Sequence, residues 1–122
     1  MMNNIVNLLD GVFDKYHVQA VGDGYIDCIC PRESIEGFIM ELNKLEVQID
    51  GFTWWCFSNS EHHPCGMGGP RNKYGEGFYS ELATCGLFDL QDNDSYKHYL
   101  LDVFPSSSEY KECLVPGFWL NV

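Results

Sequence analysis

Apolar residues recur every three or four positions over residues 3 to 16. Ile5, Leu8, Leu9, Val12 and Phe13 fall on one stripe, with Asp10, Asp14 and Lys15 elsewhere. That spacing predicts an amphipathic helix, capped by Asn3 or Asn4. The period then changes. In "HVQAVGDGYIDCIC" two short extended runs flank Gly22-Asp23-Gly24, a hairpin signal. In the second arm Ile26, Cys28 and Cys30 alternate with Tyr25, Asp27 and Ile29, so one face carries the thiols. "PRESIEGFIMELNKL" returns to helical spacing. Pro31 suits a first turn, Glu33 and Glu36 lie near the positive end of the dipole, and Ile35, Phe38, Ile39 and Leu42 form the stripe to be buried.

"EVQIDGFTWWCFS" is β-rich, with Gly51 expected as a bulge or turn between two strands. Trp54 and Trp55 are adjacent, so in a strand they face opposite sides, one toward the core and the other toward a second layer or solvent. Residues 59 to 77 read as a long loop around Gly66, Gly68, Gly69, Gly75 and Gly77, with Pro64 and Pro70. Loops of that length are uncommon in compact domains and often functional. "FYSELATCGLFDL" predicts a helical turn and then a strand near Leu87 to Leu90. "DNDSYKHYLLDVF" predicts a helix with Tyr96, Tyr99, Leu100, Val103 and Phe104 on one side and Asp94 as its cap. "ECLVPGFWLNV" is apolar but holds Pro116 and Gly117, which points to an edge strand or a packed tail. With no repeat or linker, the pattern is α+β: one globular domain over residues 1–122, an antiparallel sheet packed against two or three helices.

A chain of 122 residues, 45% hydrophobic, has material for one core. Charge changes the picture more. Eighteen carboxylates against seven Lys and Arg leave a formal charge of -11. That field repels nucleic-acid phosphates and anionic lipid and attracts basic proteins. Neither a nucleic-acid nor a membrane partner is expected. Between Tyr74 and Tyr96 lie Glu76, Glu81, Asp89, Asp92 and Asp94, without a Lys or Arg. Tyr74, Tyr79 and Tyr96 are interleaved with them, so the stretch is expected to present charges that steer encounter and rings that anchor a basic partner. The opening "MMNNIVNLLDGVFDKYH" lacks a basic leader region, and no apolar run is long enough to cross a bilayer. The expected setting is cytoplasmic, with most of the six cysteines reduced and buried.

The densest chemistry lies in "FTWWCFSNSEHHPCGMGGPR". Cys56, His62, His63 and Cys65 are the right ligand types for zinc, but their spacing fits no familiar pair-of-pairs pattern, and Pro64 stiffens the chain between them. Cys65 beside two imidazoles, with Gly66 to Gly69 as a source of N–H donors, outlines a thiol nucleophile. The acidic field opposes the thiolate that such chemistry needs. "GMGGPRNKYGEG" lacks the spacing of a phosphate loop. The expectation is therefore a strand running into a glycine-rich loop held by its imidazoles, with no cofactor and no catalytic residue. A small zinc-binding or thiol enzyme centred on Cys56, His62, His63 and Cys65 is the alternative.

"WWC" at 54 to 56, "PCGMGGPRNKY" at 64 to 74, "FYSE" at 78 to 81 and "CLVPGFWL" at 113 to 120 resemble small bacterial immunity proteins found beside polymorphic and contact-dependent inhibition toxins. The likeness spans the C-terminal two thirds of the chain. It implies a cytoplasmic inhibitor, not an enzyme, that occludes the active-site cleft of a basic toxin domain, a nuclease being the expected kind. The toxin-binding residues expected on this reading are Tyr74, Glu76, Tyr79, Glu81, Asp89, Asp92, Asp94 and Tyr96.

Overall fold

The first two helices end alike, and both endings turn the chain back toward the sheet. Helix α1 (Met2–Tyr16) is followed by His17 at φ 56°, and α2 (Ile35–Lys44) is followed, after Leu45, by Glu46 at φ 59°. In each case the next residue reaches back five positions: Val18 N–H donates to Phe13 O, and Val47 N–H to Leu42 O, both at 2.9 Å. These bonds satisfy carbonyls that the helix leaves open, and the left-handed residue makes the turn possible. The computed structural model describes residues 2–21, 27–58, 69–88, 90–103 and 113–121.

Among the described residues, five strands form one antiparallel sheet: β1 (Gln19–Ala20), β2 (Asp27–Ile29), β3 (Gln48–Ser58), β4 (Phe78–Phe88) and β5 (Leu114–Asn121). Their spatial order is β1-β2-β5-β3-β4, and the sheet is curled like half a barrel. The predicted hairpin arms pair Gln19 with Ile29 and Ala20 with Cys28; its turn lies outside the described residues. Three sequence expectations need correction. The segment at 48 to 58 is one strand, not two, and Gly51 sits at the bulge where its register against β5 shifts. The segment at 78 to 88 forms no helical turn. It follows β3 throughout, with Trp55 opposite Glu81 and Thr53 opposite Gly86, so the extra residues between 81 and 86 bulge.

The third correction is β5, which occupies the middle of the sheet between β2 and β3 rather than its edge. Pro116 is tolerated there because of which way it points. Its carbonyl accepts from Cys30 N–H at 2.9 Å, so its nitrogen is on that side too, just beyond the last residue of β2. No ladder bond to β3 is lost.

The helices cover one face of the sheet. Leu9, Val12 and Phe13 of α1 and Ile35, Phe38, Ile39 and Leu42 of α2 pack on Cys28, Phe52, Trp54, Phe118 and Leu120. The α2 stripe is as predicted, after a 3-10 turn (Arg32–Ser34) that Pro31 caps. Ile5 and Leu8, expected on the buried stripe of α1, are exposed instead. Helix α3 (Asn93–His98), continued by a π-helical turn (Tyr99–Val103), has Asp92 as its cap rather than Asp94; the Asp92 carboxylate accepts from Ser95 N–H at 2.8 Å. Beside it, buried Asn93 accepts from Ile49 N–H (2.8 Å) and donates to Val47 O (2.8 Å) and Asn43 Oδ1 (2.9 Å), joining α3 to β3 and the end of α2. The two tryptophans part as predicted: Trp54 enters this core and Trp55 the opposite face.

Candidate functional site

Strand alternation decides what the far face, away from the helices, carries. Asp27 and Ile29 of β2, Val115, Gly117 and Trp119 of β5, Thr53, Trp55 and Phe57 of β3, and Tyr79 and Glu81 of β4 share it by register. One end is apolar, with Ile29, Trp55, Tyr79 and Val115 packed together against Phe57 and Val21. The other end is polar. Asp27 stands opposite Trp119, whose ring is 40% exposed, and Glu81 is exposed on β4.

In a flat sheet, β2 and β4 of this order lie about 14 Å apart, too far for their short side chains to meet. Yet burial, and then the charge of Glu81, pushes the Asp27 carboxyl above its ordinary value. The two acids share one face of a curled sheet. On this face Asp27 Oδ1, Thr53 Oγ1 and Trp55 Nε1 are buried and have no hydrogen-bond partner. Between them Gly117 has no side chain, and a Cβ there would come within 2.3 Å of Trp55 Nε1. The missing methyl is what lets the indole lie flat across β5.

A cleft of about 360 Å³ adjoins the apolar end, lined by His17, Arg32, Glu33, Asn72, Tyr74 and Cys113 among others. The loop 69–77 makes one wall. It is held by Gln19, whose amide donates to Arg71 O at 2.8 Å and accepts from Lys73 N–H at 3.0 Å. Tyr74 stacks on His17 with ring centroids 5.0 Å apart, and its hydroxyl is shared between Asp14 Oδ1 and Val18 O, each at 3.2 Å. Gly77, at φ 148°, closes the turn where Phe57 leaves no space for a Cβ. Tyr79 borders the cleft with its phenol pushed up to about 12, by burial first and then by Cys30 and Glu33. It is a proton donor at neutral pH and not a base.

The sequence-predicted residues do not gather on one face. Tyr79 is 2% exposed and Tyr96 is fully buried in the helix-side core, where its hydroxyl accepts from Leu90 N–H, so neither ring is available to anchor a partner. Tyr74 and Glu76 belong to the loop beside the cleft, and Glu81 to the far face. Asp92 and Asp94 lie at α3 on the helix side, where Asp94 accepts from Asn43 at 3.3 Å. Asp89 lies outside the described residues.

The alternative ligand set also loses a member. Cys56 is fully buried and disulfide-bonded, and so has no thiolate to give a metal or a substrate. This corrects the expectation of reduced thiols in part: Cys28, Cys30 and Cys113 are free, and Cys56 is not. His62, His63 and Cys65 lie outside the described residues. Among those described, no three His, Cys, Asp or Glu side chains converge as a metal site, and no helix is long and apolar enough to cross a membrane.

Sequence reasoning placed Asp27 on the correct strand face but attached no function to it. The signal was there, an acid facing the same way as Ile29 in a short apolar strand. Trp119 was missed because β5 was expected at the edge. Comparison with protein-family models, curated proteins and solved structures finds no match to this chain.

Proposed function

We propose that this chain works by binding a basic protein, as an immunity-type inhibitor that occludes the active-site cleft of a toxin domain. The observation that carries the reading is how the few cations are used. Lys15 and Lys44 both pair with the same carboxylate, Glu41, each at 3.7 Å. Arg71 lies over the Phe78 ring at 5.2 Å and Lys73 over Tyr74 at 5.0 Å. Four of the seven Lys and Arg are thus held against one acid and two rings, while acids such as Glu33, Glu36, Glu46, Asp50, Glu76 and Glu81 are exposed and the formal charge is -11. An outward excess of this size lowers stability through self-repulsion and raises the encounter rate with a cationic surface.

The test is association of the purified chain with the purified product of its neighbouring gene, followed by stopped-flow fluorescence over a range of sodium chloride. The expected association rate falls at least about tenfold between 20 and 500 mM salt, as the Debye length shrinks. Absence of binding, or a rate indifferent to salt, refutes the proposal.

A further inference from the structure

Two pairs of rings line the cleft beside the apolar end of the far face. Phe57 of β3 and Tyr79 of β4 have centroids 5.4 Å apart, and His17, just past α1, stacks at 5.0 Å on Tyr74 of the loop 69–77. Pro31 and Val115 add aliphatic surface. At about 360 Å³ the cleft is near the lower end of the range of ligand pockets, about 300 to 1,000 Å³, a size that suits a molecule of one or two rings.

Its hydrogen-bonding groups are unengaged. Tyr79 is only 2% exposed, yet its hydroxyl has no hydrogen-bond partner among the described residues. Unlike Thr53 Oγ1 and Trp55 Nε1, that hydroxyl is not sealed off, so the surface it keeps opens on the cleft. An unpartnered hydroxyl on so buried a residue needs a cause. Burial keeps the phenol protonated, so at neutral pH it offers a donor. Asn72 Oδ1 accepts from Tyr74 N–H at 2.9 Å, which leaves the Asn72 amide N–H groups as further donors without an acceptor among the described residues. Both groups call for a carbonyl oxygen. Glu33, exposed at the margin, accepts an N–H in return.

We propose that this cleft binds a small, uncharged aromatic amide, whose ring packs on the ring pairs and whose carbonyl accepts from the Tyr79 hydroxyl. Aromatic rings pack on one another in offset or edge-on contact, which favours a flat ligand over a puckered one. Neutrality follows from the surroundings. An anion would meet Glu33 and a chain of formal charge -11, and a cation would meet Arg32 in the wall. The site goes beyond the basic-partner reading and does not depend on it.

Nicotinamide is the probe, titrated into the ¹⁵N-labelled chain and followed by NMR. The expected result is saturable shifts at a dissociation constant of about 0.2 to 10 mM. Cyclohexanecarboxamide keeps the amide without the flat ring, and nicotinate replaces the amide by a carboxylate; each should bind at least about threefold more weakly. Tyr79→Phe keeps the ring and removes a hydroxyl with no partner to lose, so it should fold like the parent and bind nicotinamide about three- to tenfold more weakly. Cys113, free and also in the wall, fixes the location: its alkylation by iodoacetamide should slow saturably as nicotinamide is added.

No saturation below about 50 mM, equal affinity for cyclohexanecarboxamide, or tighter binding of nicotinate overturns the assignment. Unchanged affinity in Tyr79→Phe, or an unchanged Cys113 rate, does the same. If Tyr79→Phe does not fold, the three probes and the Cys113 rate in the parent chain decide.

Discussion

Replacing Gly117 with alanine tests how the far face is built. The added Cβ would lie 2.3 Å from Trp55 Nε1 and 2.6 Å from Trp55 Cδ1, where carbon contacts relax only at about 3.5 Å or more. The indole must therefore retreat by about 1 Å, against packing that resists it. Ile29, Tyr79 and Val115 surround it, and the loop passes over it at Gly69, where even an ideal Cβ would sit 3.4 Å from Trp55 Cζ3. Over-packing of this kind costs about 1 to 3 kcal/mol. Urea denaturation followed by circular dichroism should show a lower midpoint at unchanged slope. Trp55→Phe supplies the second arm, because it removes the ring that meets the methyl. Its indole N–H has no partner to lose, so its own cost is packing alone. The double variant should recover most of the Gly117→Ala loss. If the two losses simply add, the methyl and the indole are not in conflict and this account of the face is wrong.

Three other outcomes follow from contacts already described. Asp27→Asn should be more stable than the parent at pH 7. A carboxyl raised in the folded state contributes stability below its ordinary value of 3.8 and loses it as pH rises through the folded value, so the advantage should vanish on acidification; a difference constant from pH 3 to 7 contradicts it. Asn93→Ala strands Ile49 N–H and Val47 C=O in the interior and should cost about 2 to 4 kcal/mol in urea denaturation, a neutral result showing that other groups take over. Iodoacetamide with mass spectrometry should label partly exposed Cys113 in the native chain, spare Cys28 and Cys30 until unfolding, and reach Cys56 only after reduction. Labelling of Cys56 without reductant rules out its disulfide.

Local periodicity was enough to place the two long helices, the thiol-bearing face of β2 and the opposite fates of Trp54 and Trp55. Each depends on which neighbours three, four or two positions away are apolar, and the chain carries that information within a few residues. The excess of acid was equally legible, since composition needs no fold. What failed was whatever depended on distant segments. Pro116 argues for an edge when read alone, and only the early end of β2 frees the centre of the sheet for it. Tyr96 reads as an anchor beside acids, yet α3 turns it into the core, where Phe52 lies edge-on at 6.2 Å. Asp27 and Glu81 are separated by more than fifty residues, and nothing in the chain announces that strand order puts them on one face of the same sheet. Sequence thus determined where the long helices lie, which way adjacent strand residues part and how much net charge the chain carries, but not the burial of every residue: Ile5 and Leu8 are exposed and Tyr79 and Tyr96 are buried. The tertiary structure alone decided which distant side chains share a sheet face, because strand order and sheet curvature are set by packing between elements that no local window contains.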